Sequence, residues 1–96
     1  MKAEKIGLKP LLVTTEKGVF VGYGVPSDAN NLRLENARMV VYWSQDTHGV
    51  LGLASAPPKH GTKIGPRVPA ITIRNVTLCV EATSEAAQGW EQEPWN

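Results

Sequence analysis

The sequence holds a single cysteine, Cys79, which excludes an internal disulfide framework and any cysteine-based zinc cluster. Its only histidines are His48 and His60, so scattered acids would have to complete any metal site. Asp46-Thr47-His48 sets an acid beside a base, but in a turn and with no nucleophile specified, so no catalytic residue is expected. No apolar run approaches the roughly 18 residues of a membrane span. The basic start, Met1-Lys2-Ala3-Glu4-Lys5, leads into a stretch broken by Lys9 and Pro10, so no signal peptide and a cytosolic chain are expected. There is no tandem repeat and no low-complexity segment. Ten Lys plus Arg against nine Asp plus Glu leave a net charge of +1, which selects no partner in bulk.

What remains is 96 residues with 42% hydrophobic content, enough for one compact core and no more. Short β-type runs dominate. Leu11-Leu12-Val13-Thr14-Thr15 is rich in branched residues and is followed by the turn Glu16-Lys17-Gly18. Val19, Val21 and Tyr23 alternate with Phe20, Gly22 and Gly24. Pro26 to Asn31 has loop composition, and Leu32 and Leu34 alternate with Arg33 and Glu35. Asn36-Ala37 is read as a bulge or as the start of the next stretch. Met39-Val40-Val41-Tyr42-Trp43 is apolar on both parities, which predicts a cover on both faces, one of them a second subunit.

Val50-Leu51-Gly52-Leu53-Ala54 is expected to be a short strand. Residues 55–70 carry four prolines and two glycines, and no regular element is expected there. A last strand is expected over Ile71–Ala82, with a bulge where the apolar parity switches near Arg74-Asn75. Ser84-Glu85-Ala86-Ala87-Gln88 opens a helix that closes near Glu93-Pro94, with Trp90 as its anchor. The expected fold is all-β: one domain over 1–96, a small SH3-like antiparallel barrel with a short C-terminal helix at 84–93. An OB-fold is the alternative.

Two resemblances attach to these residues. Gly18, Gly22, Asp28, Asn31, Leu32 and Leu34, with Ile73-Arg74-Asn75-Val76, stand in the order of the two motifs of Sm-like proteins, although no glycine follows Arg74. This similarity implies an Sm-like barrel and ring-like assembly, and RNA binding by Asp28, Asn31 and Arg74. A second covers most of the chain. Asn36-Ala37-Arg38, Val41-Tyr42-Trp43 and Gly52-Leu53-Ala54-Ser55 resemble a family of short tailed-phage and prophage proteins. So do Gly61-x-x-Ile64-Gly65-Pro66, Pro69-x-Ile71, Val76-Thr77 and Glu85-Ala86-Ala87-x-x-Trp90. This resemblance implies a phage origin and no particular activity.

The strongest chemical signal is an asymmetry of charge. Between Asp46 and Glu81 there is no acid, while Lys59, Lys63, Arg67 and Arg74 stand there with both histidines. The last sixteen residues hold four glutamates and no base. A proline-stiffened basic loop whose glycines expose backbone N–H groups suits a phosphate; a solvated loop balanced by the acidic tail is the plainer reading. Tyr42, near Arg38, could stack a nucleobase, whereas Trp43 reads as core. Trp90 and Trp95 could form an apolar patch that calls for a partner.

The expectation is a non-enzymatic, oligomeric phage protein without cofactor or metal, acting in the host cytosol against defence by sequestering a host nucleotide signal. Its ligand-binding residues would be Arg38, Tyr42, Lys59, His60, Lys63, Arg67 and Arg74. The alternatives are a protein–protein inhibitor of a host protein or a virion component, and the RNA binder above.

Overall fold

The computed structural model describes residues 8–27 and 29–94. Asp28 of the first Sm-like motif and Trp95 of the expected apolar patch lie outside the described residues. The branched run at 11–15 extends to strand β1, Lys9–Thr15, and the turn at Glu16-Lys17 leads directly into β2, Gly18–Gly24. The two pair antiparallel with Thr15 opposite Gly18.

Strand β3, Asn31–Tyr42, unites what the alternation suggested were two stretches. Asn36 has φ 52, and the β2–β3 register shifts between Val21 and Tyr23, so Asn36 is the bulge. A bulge adds one residue and exchanges the two faces beyond it. Before it, Leu32 and Leu34 point into one core cluster with Leu11, Val13 and Ile73. After it, Ala37 joins that cluster, and Val40 turns instead to the other, with Leu12, Val21, Ile64 and Trp90. Met39 and Val41 are exposed, so in the single chain one face of this run is covered and the other is not.

The expected strand at 50–54 is instead a helix, α1, Val50–Ser55. An apolar run this short fits either period, and tertiary packing decides. His48 at φ 66 and Gly49 at φ 86 turn the chain sharply after a 3-10 turn at Gln45–Thr47. Helical spacing then sends Leu53 and Ala54 inward and leaves Leu51 exposed.

Two regular elements also occupy the Pro-rich stretch. Strand β4, Lys63–Ile64, lies along β3, with Val40 opposite Ile64 and Tyr42 opposite Lys63. Strand β5, Val68–Arg74, pairs with the first part of β3. Its Pro69 is tolerated because the ladder runs from Glu35↔Ala70 to Ala37↔Val68, leaving the missing N–H beside the bulge. The parity switch near Arg74 is the end of a strand and not a bulge. Asn75 has φ 61, and a separate strand β6, Leu78–Glu81, returns to pair with β1.

The result is one antiparallel sheet of six strands, in the order β4-β3-β2-β1-β6 with β5 also on β3. The sheet is open: β5 and β6 follow one another but form no ladder together. Helix α2, Ser84–Gln92, closes the chain almost where its composition placed it. Its cap is Thr83, one residue earlier than Ser84, and Thr83 Oγ1 accepts from Ala86 N at 3.1 Å. Trp90 is the anchor: it is buried, and its Nε1 donates to Leu53 O at 3.0 Å, tying α2 to α1. Gly89 lies against Pro57 and Pro58, where a Cβ would come within 2.4 Å of Pro58 Cδ, so the start of the Pro-rich stretch is packed on α2.

Candidate functional site

The end of β3 carries the basic loop. Tyr42 is 58% exposed and stands opposite Lys63 of β4, which is also exposed. Directly opposed residues of a ladder hold their Cβ atoms roughly 5 Å apart. Beyond Tyr42 the chain is clasped to the loop by Ser44 Oγ, which donates to His60 O at 3.1 Å. A tight turn then leads into β4, with Thr62 N donating to Lys59 O at 3.0 Å. Lys59 lines a cleft of about 520 Å³ with Thr47, His48, Gly52, Ser55 and Ala56. Four of the seven expected ligand residues, Tyr42, Lys59, His60 and Lys63, thus sit on this one clasp.

The three arginines sit elsewhere. Arg38 faces the helix layer because of the bulge at Asn36, and it is only 6% exposed. Its Nε donates to Gly65 O at 2.6 Å, its Nη1 to Trp90 O at 2.5 Å and its Nη2 to Ile64 O at 3.3 Å. Burial lowers its pKa, the charge of Arg67 lowers it further and Glu93 opposes both. Arg67 is exposed, and its Nη2 donates to Glu91 O at 2.9 Å. The last carbonyls of a helix lack partners within it and form the negative end of its dipole. No basic residue lies in the last turn of α2, so Arg38 and Arg67 supply the missing donors from other elements. The Arg38 guanidinium is thus buried on backbone carbonyls, while Arg67 holds the helix end through one nitrogen and stays exposed.

Arg74 lies at the far end of β3, opposite Asn31. At about 3.3 Å per residue, the 12-residue strand puts roughly 36 Å of path between Asn31 and Tyr42. Arg74 lines a separate cleft of about 310 Å³ with Thr15, Glu16, Lys17, Asn75 and Thr77. It is therefore at a different place from Lys59 and Lys63. Among the described residues no three His, Cys, Asp or Glu side chains gather to hold a metal, and no helix is long and apolar enough to cross a membrane.

Thr47, Gly52 and Ser55 are not among the ligand-binding residues expected from the sequence. The one available hint was Gly52, a glycine interrupting an apolar run that the structure turns into a helix.

Tyr23 links β2 to α2 by donating its hydroxyl to Glu91 Oε2. Partial burial, then that hydrogen bond, then the negative charge of Glu91 hold its phenol well above the ordinary value of 10.0, with Arg67 opposing. The folded chain therefore keeps a proton that the unfolded chain releases. The resulting stability is full below about pH 10 and is lost as pH rises above it. Tyr23→Phe should remove this alkaline loss. Thermal melts between about pH 8 and about pH 11 would read it, and an unchanged slope in the variant would count against the bond.

A family model described as a domain of unknown function (DUF6948) matches residues 8–90, and the chain belongs to that family. No curated protein and no solved structure matches it.

Proposed function

We propose that this protein is a non-enzymatic binding protein of phage origin that sequesters a phosphorylated nucleotide signal in the cytosol of its host, against host defence. The observation that carries this reading is the ladder pair Tyr42↔Lys63, which sets an exposed tyrosine opposite an exposed lysine at the edge of the sheet. Lys59 and His60 lie on the same clasp, and no acid stands between Asp46 and Glu81. A nucleobase stacks on the ring, and the bases take the phosphate.

The sheet is part of the proposal, as an SH3-like barrel left partly open. The meander from β1 to β3 and the return of β6 to β1 support it. Self-association is also part of it. Exposed Met39, Val41 and Val68 form apolar surface that a second copy would cover.

Calorimetric titration with a panel of linear and cyclic nucleotides tests the reading. Tyr42→Ala and Lys63→Ala should each cost about 1–3 kcal/mol of binding, up to roughly a hundredfold in affinity. Arg74→Ala should leave nucleotide affinity unchanged, and light scattering of the same samples should give a mass above the 10.4 kDa of one chain. Absence of heat with every nucleotide would sink the reading. Asn31 opposite Arg74 favours the RNA reading as second choice, and a single-stranded RNA lost on Arg74→Ala, with a steep salt dependence, would replace the first.

A further inference from the structure

The cleft between the 3-10 turn and α1 has features that the stacking pair at Tyr42 does not explain. Its floor is unusually close-packed. His48 at φ 66 and Gly49 at φ 86 fold α1 back over the turn. A Cβ on Gly52 would lie 1.6 Å from Thr47 O, so only glycine fits this crossing. Thr47 is 4% exposed, lines the cleft, and its hydroxyl has no partner among the described residues. An unpaired buried hydroxyl costs about 1–3 kcal/mol, and native proteins leave few of them. Thr62 has a similar hydroxyl but does not line the cleft. Ser55 Oγ makes only a long bond, 3.3 Å, to Gly52 O. Lys59 and His48 add a cation and an imidazole, and none of the described lining residues is acidic. The volume, about 520 Å³, falls within the range of small-molecule sites.

We infer that this cleft is the seat of a phosphate group, with Lys59 and His48 on its charge and the hydroxyls of Thr47 and Ser55 on its oxygens. The described lining offers several donors, and a tetrahedral oxyanion takes donors from several directions at once. The inference rests on the reading above that the ligand is phosphorylated, and it names where the phosphate goes.

The probe is inorganic phosphate, titrated into the full chain while backbone amide shifts are followed by NMR. Saturating shifts are expected to be confined to residues 47–59. Thr47→Val keeps the shape and removes the orphaned hydroxyl. It should weaken phosphate binding about tenfold, while the urea midpoint stays the same or rises. A merely structural threonine would show the reverse, a change in stability without a change in binding. Lys59→Gln alters an exposed side chain, leaves folding intact, and should also weaken phosphate by about tenfold or more. Shifts scattered over all basic residues without saturation would overturn the inference, as would both variants binding phosphate like the wild type. The two proposals fail separately. If phosphate saturates the cleft and no nucleotide gives heat, the nucleotide reading falls and the phosphate seat stands. If nucleotides bind and both variants hold phosphate and nucleotide unchanged, the seat falls and the reading stands.

Discussion

Arg38→Ala should destabilise the fold by about 3–5 kcal/mol, far more than loss of an ordinary surface arginine. The side chain was expected to bind a ligand, and it joins three backbone segments instead. Gly65 O and Ile64 O belong to the Pro-rich stretch, and Trp90 O to the end of α2. Removing the guanidinium takes a donor from Gly65 O and Ile64 O in a buried place and leaves Trp90 O with only the 3.3 Å bond from Glu93 N. Each hydrogen bond to a charged group contributes about 1.5–3 kcal/mol, but the three share one side chain, and the Ile64 bond is long, so the sum stays below threefold. Arg38→Met tests the role of the donors at nearly constant volume and should lose almost as much. Arg38→Lys keeps the charge but not the planar fork, and should fall between the two. Arg67→Ala should cost less, because its bond to Glu91 O is exposed. Urea unfolding reads all four. An Arg38→Ala variant within about 1 kcal/mol of wild type would refute the capping role.

The face that Arg38 takes is a matter of one residue. Period-two alternation is legible in Leu32, Leu34 and the β1–β2 hairpin, and those elements stand where they were expected. The extra residue at Asn36 takes Arg38 off the face of Leu32 and Leu34 and puts it on the face of Val40, which α2 and the Pro-rich stretch cover. Asn36 was readable as a bulge; the partner waiting on the far side was not. Helix α1 was lost for a different reason. A five-residue apolar run carries no period, and its helical state depends on left-handed backbone at His48, a residue type that gives little notice of it. The prolines of 55–70 hid β4 and the first three residues of β5 from any local reading, yet β4 is short and Pro69 sits where its absent N–H does no harm. Tyr42, Lys59 and Lys63 were legible as exposed basic or aromatic surface. Thr47 and Ser55 were not, because they meet Lys59 only through the fold of α1 over the turn.

Trp90→Ala should cost about 3–5 kcal/mol, the range for emptying a large aromatic from a core. The ring is 2% exposed and packs with Leu12, Val21, Leu53 and Ile64, so the vacated space has walls from the sheet and from α1. Leu53 O also loses its donor. At roughly 4–8 °C per kcal/mol for a domain of this size, the melting temperature should fall by at least about 12 °C. Trp90→Phe separates the two losses. It keeps an aromatic ring in the core but removes the Nε1–H and part of the ring volume, so it should cost about 1–3 kcal/mol. The position is also coupled to Arg38, whose Nη1 donates to Trp90 O. Once Trp90 is gone and α2 no longer seats firmly, the Arg38 bond to that carbonyl has less to hold. The double variant Arg38→Ala, Trp90→Ala should therefore lose less than the sum of the singles, with an interaction energy of about 1–3 kcal/mol. Helix α2 also reaches α1 through Thr83 N, which donates to Ala54 O at 2.9 Å, so some attachment survives the loss of the indole. Strict additivity in the urea cycle would mean that the guanidinium and the indole stabilise the sheet independently.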